Sequence, residues 1–277
     1  MDTKQNVRFG LIQMHVSMDK AANVASACSK ITLAAQQGAQ VIVLPEMFNC
    51  PYSNDYFRQY AEPAGGETWQ ALADCARANK IVLVAGSFPE LEGERVYNAS
   101  FVFNRKGEQI ARHRKMHLFD VEIVGGQRFC ESETLTAGNE VTVFDTQYGI
   151  MGLCICFDMR FPELCRLMAL KGAQVIIAPA AFNMTTGPAH WELLFRQRAV
   201  DNQLFTIGVG PARNENGVYV SYANSIVCSP WGDVLCRAGA EETLLITDLD
   251  LSLNTKIRTQ LPLLSALRRD VYTLIEK

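Results

Sequence analysis

The chain has 277 residues, 48% of them hydrophobic, which is enough apolar material for the core of one large domain or two small ones. Its 26 Lys and Arg residues face 29 Asp and Glu residues, a formal net charge of −3, so neither nucleic acid nor an anionic membrane is an expected partner. No stretch approaches the roughly 18–20 apolar residues of a membrane helix, and the amino terminus lacks the apolar core of a secretory signal.

The first half of the chain alternates between strand-like and helix-like apolar patterns. The predicted elements are a strand at 7–14, a helix at 18–37 ending at Gly38, a strand at 41–44 stopped by Pro45, a helix at 68–79, a strand at 81–85, and a hairpin of strands 96–103 and 108–112 around Lys106-Gly107. Glycine is a common residue just past a helix because it adopts left-handed dihedral angles easily. This order indicates strands that pack beneath helices.

The second half continues the alternation and ends in antiparallel strands. The predicted elements are strands at 142–145 and 150–156, a helix at 161–170, a strand at 175–178, a helix at 190–202, strands at 204–209, 222–228, 234–237 and 243–248, and a helix at 251–260. Proline at position 162 suits the first turn of a helix. We therefore expect a single α/β domain over 1–277, with a carboxy-terminal tail at about 262–277.

One octapeptide occurs twice in similar form. Gly38–Pro45 reads GAQVIVLP and Gly172–Pro179 reads GAQVIIAP, and each follows a strand and a helix. Two related β-α-β units are the favoured interpretation, with parallel strand pairs and helices outside them. Such halves can pack sheet to sheet, although chance similarity between two apolar strands is the alternative.

Three polar residues stand where apolar strands end, the position at which α/β sheets bind ligands. Glu46 follows VIVLP, Lys115 follows EQIARHR, and Cys156 ends MGLCIC before a helix. A helix dipole and a nearby cation lower the pKa of a thiol, which favours a nucleophilic Cys156. Burial beside an apolar wall raises the pKa of a glutamate and suits Glu46 to proton transfer. Considered singly, they also fit an inert cysteine, a surface glutamate and a solvated lysine.

The remaining cysteines need no chemical role. The total of nine is odd and follows no disulfide-like spacing, which is typical of free, mostly buried thiols in a reducing cytosol. We interpret Cys28, Cys75, Cys154 and Cys165 as packing residues. A cytoplasmic location is the corresponding prediction.

Three ordered segments resemble the signature blocks of the nitrilase-like, or carbon–nitrogen hydrolase, family. They are LPEMF at 44–48, HRKMHLFD at 113–120 and GLCICFDMRFPEL at 152–164, and the resemblance extends from Val7 to about Tyr272. It implies an α/β fold with a four-layer αββα sandwich of two mixed sheets, a homodimer or larger homo-oligomer, and no metal or organic cofactor. The family's Glu-Lys-Cys triad falls on Glu46, Lys115 and Cys156.

The resemblance also assigns a second glutamate and a substrate pocket. The second glutamate falls on Glu131, although Glu133 is close by. FNMTTGPAHWELL at 182–194 and RAVDNQ at 198–203 are similar to the ω-amidase branch, which hydrolyses the terminal amide of α-keto acid amides such as α-ketoglutaramate. In that branch an Arg and a Thr hold the substrate carboxylate, and they fall on Arg160 and Thr186. The alternative for Arg160 is a structural ion pair.

The resulting hypothesis is a thioester mechanism acting on a small amide. Cys156 attacks the amide carbon, Lys115 and the Phe157 N–H stabilise the oxyanion, and Glu46 transfers the protons. Phe157 replaces the commoner tyrosine of this block, which leaves its N–H unaffected. Other amidases of the family, such as deaminated-glutathione or N-carbamoyl amino acid hydrolases, use the same triad.

Three other functions remain open from the residues. A Cys-His hydrolase requires a histidine near Cys156, and His113 and His117 flank Lys115. A zinc hydrolase is disfavoured, because no C-x-x-C pair occurs and His113 and His117 lie in a loop-like segment. A catalytically silent binding or scaffold protein is disfavoured by the intact Glu-Lys-Cys set.

Overall fold

The computed structural model describes residues 6–122 and 128–277, and its elements follow the predicted order. The strands are β1 (Asn6–Gln13), β2 (Val41–Val43), β3 (Val82–Val84), β4 (Phe88–Glu92), β5 (Arg95–Phe103), β6 (Gln109–Arg114), β7 (Asp120–Glu122), β8 (Arg128–Cys130), β9 (Thr142–Thr146), β10 (Gly149–Leu153), β11 (Val175–Pro179), β12 (Phe205–Val209), β13 (Ile226–Cys228), β14 (Val234–Arg237) and β15 (Thr243–Asp250). The α-helices are α1 (Lys20–Gln36), α2 (Asn54–Tyr60), α3 (Glu67–Asn79), α4 (Pro162–Leu170), α5 (Gly187–Asn202) and α6 (Ser252–Gln260). Three features were not predicted, namely α2, β4 and the β7–β8 pair.

Within the described ranges, the fold is built on two large mixed sheets. The first runs in the order β15-β1-β2-β3-β5-β4, with β6 pairing β5, and the second runs β14-β13-β12-β11-β10-β9. The strands β1, β2 and β3 are parallel, and so are β10, β11 and β12. The last strand, β15, pairs antiparallel with β1 along its whole length and forms an edge of the first sheet.

The two sheets face each other across a shared apolar core. Phe9 and Leu11 of β1 belong to the same buried cluster as Met151 and Leu153 of β10, as the two-residue period of strands requires. Separate clusters bury α1 and α3 against the first sheet and α4 and α5 against the second. The predicted αββα sandwich is therefore confirmed.

The repeated octapeptide marks two equivalent units. The pairs β1–β2 and β10–β11 are both parallel neighbours, joined through α1 and α4 respectively. Its first glycine has the left-handed φ that a helix end favours, 86° at Gly38 and 96° at Gly172. The shared sequence thus reflects a shared turn between helix and strand, which confirms the interpretation as two related β-α-β units.

One prediction about the second unit was wrong, because Cys156 does not end a strand. The strand β10 stops at Leu153, and Cys156 opens a 3-10 turn, Cys156–Arg160, with φ of 48°. The side chain of Asp158 accepts a hydrogen bond from the Ile155 N–H at 3.0 Å and so holds the chain in this turn. Left-handed φ is unusual for a residue with a side chain and is often found at functional sites.

None of the helices in the described ranges is both long and apolar enough to cross a membrane.

Candidate active site

The three residues predicted at strand ends meet at one edge of the sandwich. Glu46 follows β2, Lys115 follows β6 directly, and Cys156 follows β10. Because β6 is antiparallel to β5, which is antiparallel to β3, the carboxyl ends of β6 and β2 lie at the same edge. The connectivity explains how residues so distant along the chain become neighbours.

Lys115 is fully buried between two carboxylates. Its Nζ donates to Glu46 Oε1 at 3.0 Å and to Glu131 Oε1 at 2.9 Å, and it lies 3.2 Å from Tyr52 Oη. Burial alone lowers the pKa of this ammonium, but the charges of Glu131 and Glu46 outweigh burial, and the pKa is raised above its usual value. Lys115 is therefore a permanent cation in the site.

Glu46 has both carboxylate oxygens engaged. Its Oε1 accepts from Asn98 Nδ2 at 2.8 Å as well as from Lys115, and its Oε2 accepts from the Ala181 N–H at 2.7 Å. Burial raises the pKa of Glu46, Lys115 lowers it and Glu131 raises it again, with a net increase. The Cys156 thiol is a further neighbour that lowers the pKa of this carboxylate in part. A carboxyl group with a raised pKa exchanges protons more readily near neutral pH.

Cys156 lies between Glu46, Lys115 and the Ala181 N–H. The expected lowering of its pKa was wrong for this site. Burial first and the Glu46 charge second raise the pKa well above its usual value, while Lys115 and the Ala181 N–H lower it only in part. The sulfur therefore carries its proton at rest, and Glu46 is the neighbouring group that can remove it.

Glu131, rather than Glu133, faces the site. Its Oε1 accepts a 2.6 Å hydrogen bond from Tyr52 and its Oε2 accepts from the Phe119 N–H at 2.7 Å, in addition to the contact with Lys115. Glu133 is exposed and pairs with Arg128 on the surface. The ambiguity between the two glutamates is resolved by burial.

A narrow cavity, here named the Cys156 cavity, begins at the sulfur. Its wall consists of Phe119, Cys156, Phe157, Arg160, Ala181, Phe182, Asn183, Thr186 and Tyr219, and its volume is about 10 Å³. Arg160, Thr186 and Phe157, which were predicted to contact substrate, all belong to this wall. The site residues of the sequence prediction are thus all brought together. Glu46, Lys115 and Glu131 form a buried charged cluster next to Cys156, and the other three line the cavity.

Arg160 is a partly buried cation with aromatic neighbours. Its guanidinium lies over the rings of Phe157 at 5.5 Å and Phe182 at 4.8 Å, and its Nη1 is 3.0 Å from His190 Nδ1. In the described ranges no carboxylate forms an ion pair with Arg160, so the alternative of a structural ion pair is not supported. The geometry suits recognition of a substrate carboxylate.

Asp158 is a site residue that the sequence prediction missed. It binds His113 Nε2 at 2.9 Å, His117 Nδ1 at 2.7 Å and the His117 N–H at 2.9 Å. These contacts fasten the turn that carries Cys156 to the segment that carries Lys115. The two histidines that a Cys-His hydrolase would need are thus bound to Asp158 instead. Its position two residues after Cys156 was the available signal.

Three further residues were also missed, namely Tyr52, Asn98 and Tyr219. Tyr52 contacts Lys115, Asn98 contacts Glu46, and Tyr219 lines the Cys156 cavity. None of them follows an apolar strand, so a search of strand ends does not find them. Among residues 6–122 and 128–277, no group of three or more His, Cys, Asp or Glu side chains is placed to hold a metal ion.

Known proteins resemble this chain over nearly its whole length. The sequence model of the carbon–nitrogen hydrolase family matches residues 8–259. The ω-amidase NIT2 of Mus musculus is 47% identical over 270 residues, which cover 98% of each chain. The structure of Saccharomyces cerevisiae Nit3, described as a member of branch 10 of the nitrilase superfamily, has a TM-score of 0.88 and 42% identity, covering 96% of this chain and 97% of that one. The C. elegans NitFhit protein has a TM-score of 0.89 and 31% identity, covering 99% of this chain and 68% of that one. The chain therefore belongs to the carbon–nitrogen hydrolase family, in the branch of the nitrilase superfamily that contains the ω-amidases.

Proposed function

We propose that this protein is a cysteine ω-amidase that hydrolyses the terminal amide of α-keto acid amides, such as α-ketoglutaramate and α-ketosuccinamate, to a dicarboxylic keto acid and ammonia. The observation that carries the proposal is the buried Glu46–Lys115–Cys156 set opening onto a cavity lined by Arg160. The similarity to the ω-amidase NIT2 of Mus musculus supports the same activity.

The first half of the reaction forms a thioester. Glu46 takes the thiol proton while the Cys156 sulfur bonds to the amide carbon, and Lys115 with the Phe157 N–H stabilises the oxyanion. The carbon–nitrogen bond then breaks, and the proton on Glu46 passes to the nitrogen, which leaves as ammonia. A sulfur with a raised pKa makes a poor free nucleophile, so proton removal by Glu46 is coupled to attack.

The second half releases the acid. Glu46 takes a proton from a water molecule while the water oxygen bonds to the thioester carbon. The carbon–sulfur bond then breaks, and the proton on Glu46 returns to the sulfur. Glu131 fixes Lys115 throughout, through the 2.9 Å contact with Nζ. Because these groups interact closely, they titrate as one set rather than singly.

The substrate carboxylate defines the specificity. Arg160 receives it through its guanidinium fork. The Thr186 hydroxyl lies on the same wall of the cavity and donates to Asn183 Oδ1 at 2.9 Å, and it turns from Asn183 to the carboxylate when substrate binds. Amidases of this family that act on deaminated glutathione or N-carbamoyl amino acids are alternatives, as is a silent scaffold. The narrow cavity with a single guanidinium favours a small anionic amide.

The deciding experiment measures ammonia release. The wild type should hydrolyse α-ketoglutaramate faster than glutamine, a nitrile or an N-carbamoyl amino acid, and an acyl adduct should be found by mass spectrometry on Cys156. Cys156→Ala should abolish turnover without loss of fold. The control variant Cys236→Ala, on β14 away from the site, should keep the wild-type turnover. Turnover by the Cys156→Ala variant at the wild-type rate would disprove the nucleophile.

Arg160→Lys tests the carboxylate site separately. It keeps the charge but loses the fork, so KM for α-ketoglutaramate should rise about tenfold or more with a smaller change in kcat. An uncharged amide should show no such rise. An equal rise in KM for both substrates would show that the substrate carboxylate does not bind Arg160 in this cavity.

We further propose that residues 1–277 work as one domain with a tail at about 262–277, in a cytoplasmic homodimer or larger homo-oligomer. Leu193 and Trp231 support self-association, since they are 61% and 58% exposed, and apolar side chains are often covered in an assembly. Light scattering at micromolar concentration tests the oligomer, and cell fractionation tests the location.

A further inference from the structure

A second cavity, here named the Glu46 cavity, shares Tyr219 with the Cys156 cavity. It is formed by the loops that follow β1, β2 and β12, and its volume is about 350 Å³. The volume of the Cys156 cavity is about 10 Å³ by the same measure. Apart from Glu46, the described residues of this larger wall carry no charged side chain, so its chemistry suits an uncharged, largely apolar group.

Tyr219 is the partition between the two cavities. Of the described residues that line them, it alone belongs to both walls. Its hydroxyl donates to the Ala181 carbonyl at 2.5 Å, and its ring centroid lies 4.7 Å from that of Tyr52. The hydrogen bond to Ala181 and the ring contact with Tyr52 hold the Tyr219 side chain in place between the two cavities.

The two sides of this partition correspond to the two sides of the amide. Arg160 and Thr186 line the Cys156 cavity, where the carboxylate end of the acyl chain binds under the proposed function. Glu46, which protonates the departing nitrogen under the proposed function, belongs to the wall of the other cavity, although its carboxylate is buried behind that wall. Tyr219 is close enough to both Cys156 and Glu46 for their charges to raise its pKa. The amide nitrogen therefore points toward Glu46 and the ring of Tyr219.

We propose that Tyr219 restricts this enzyme to unsubstituted amides, because its ring occupies the path that a substituent on the nitrogen would take, and that the Glu46 cavity is a latent site for such an uncharged alkyl substituent. The inference rests on the proposed amidase function. The chemistry is unchanged in a substituted amide. The sulfur bonds to carbon, the carbon–nitrogen bond breaks, and the thiol proton reaches the nitrogen through Glu46 so that a primary amine leaves in place of ammonia.

The experiment compares α-ketoglutaramate with its N-methyl and N-butyl derivatives, measuring the keto acid that all three release. The wild type should hydrolyse the unsubstituted amide, the N-methyl derivative more slowly, and the N-butyl derivative at background. In Tyr219→Ala, the ratio of N-butyl to unsubstituted hydrolysis should rise at least tenfold, since filling an apolar pocket is worth about 10- to 200-fold per methylene. Tyr219→Leu should show a smaller rise.

Two controls separate the ring from other roles of the residue. Tyr219→Phe removes the hydrogen bond to Ala181 but keeps the ring, so the N-butyl derivative should remain excluded. Glu215→Ala changes an exposed side chain of the same loop that lines neither cavity, and it should leave all three rates unchanged.

The results distinguish this inference from the proposed function. A wild type that releases no keto acid from the unsubstituted amide refutes the amidase function itself. If the wild type is active, an unchanged ratio in folded Tyr219→Ala or, should that variant not fold, in Tyr219→Leu overturns the partition. Loss of hydrolysis of the unsubstituted and N-methyl amides in a folded variant, with no gain on the N-butyl derivative, overturns it too, because Tyr219 would then support catalysis and not selectivity.

Discussion

One buried carboxylate, Glu46, neighbours the Cys156 sulfur, and another, Asp158, holds the turn that carries Cys156. Their pKa values shift in opposite directions. Burial raises the pKa of Glu46, and Glu131 adds to the increase against the effect of Lys115. Burial also tends to raise the pKa of Asp158, but hydrogen bonds from His113 and His117 and from the Ile155 N–H outweigh it, and that pKa is depressed below its usual range.

The difference lies in how each carboxylate is supplied with donors and neighbours. Asp158 is bonded by two imidazole rings and two backbone N–H groups, and none of the described carboxylates shares these donors. Glu46 accepts from as many donors, namely Lys115, Asn98, Tyr52 and the Ala181 N–H, but it shares Lys115 with Glu131. The second carboxylate is therefore what separates the two sites, because its charge adds to the raised pKa of Glu46. This contrast predicts opposite effects when each is neutralised.

The largest expected effect follows from Glu46→Gln. The amide keeps the shape but cannot move protons, so kcat for α-ketoglutaramate should fall by roughly 10²- to 10⁴-fold. The free energy of unfolding should change little, because Lys115 keeps its ion pair with Glu131. The carboxylate that is lost has a raised pKa, which means that its ionised form is disfavoured in the folded protein. Steady-state kinetics and urea denaturation measure the two effects. Near-normal kcat in this variant would remove Glu46 from proton transfer.

Asp158→Asn should show the reverse pattern. Neutralising one partner of a buried charged cluster costs about 3–5 kcal/mol of unfolding free energy, and the folded fraction should keep most of its kcat. Since the folded pKa of Asp158 is depressed, its stabilisation is present above the unfolded pKa of about 3.9 and is lost as pH falls through the folded pKa. The stability difference from wild type should therefore shrink below about pH 4. A stable but inactive variant contradicts the structural role.

The contrast also shows which parts of the site are readable from sequence. Glu46, Lys115 and Cys156 were predictable because each lies at or shortly after a strand end, where topology brings such ends together. The two β-α-β units were predictable because the octapeptide repeats, whereas the four-layer sandwich was implied by the resemblance to the family. These signals are local, and one strand or turn contains each of them.

Other parts of the site depend on contacts between distant segments. Asn98 reads as an ordinary position inside β5, and Tyr52 lies in a loop without periodicity, although both contact Glu46. The direction of the Cys156 pKa shift was wrong because the helix and the lysine were foreseen, while the desolvation and the Glu46 charge that outweigh them exist only in the folded chain.

Tyr52→Phe should lower kcat less than Glu46→Gln does, because it changes a neighbour of the charged cluster and not one of its charges. It removes the hydroxyl that donates to Glu131 at 2.6 Å and touches Lys115, while the ion pairs of Lys115 remain. One hydrogen bond to a charged group is worth about 1.5–3 kcal/mol, so kcat should fall about tenfold or somewhat more, with KM nearly unchanged. Tyr56→Phe, on α2 and outside this network, is the matched control. A larger rise in KM than fall in kcat would place Tyr52 in substrate binding instead.

The smallest expected effect is a displacement of the pH profile, and it tests why Glu46 differs from Asp158. In the proposed mechanism, Glu46 must be ionised to accept the thiol proton, so the rate should fall as pH drops through its raised pKa. Glu131 contributes to that increase by charge repulsion. In Glu131→Gln the acidic limb of kcat/KM, scaled to the variant's own plateau, should therefore move to lower pH. Glu133→Gln, two residues away but exposed, should leave the limb in place. A limb that stays fixed or moves to higher pH in Glu131→Gln would mean that burial alone, and not competition between two carboxylates for one lysine, sets the proton affinity of Glu46.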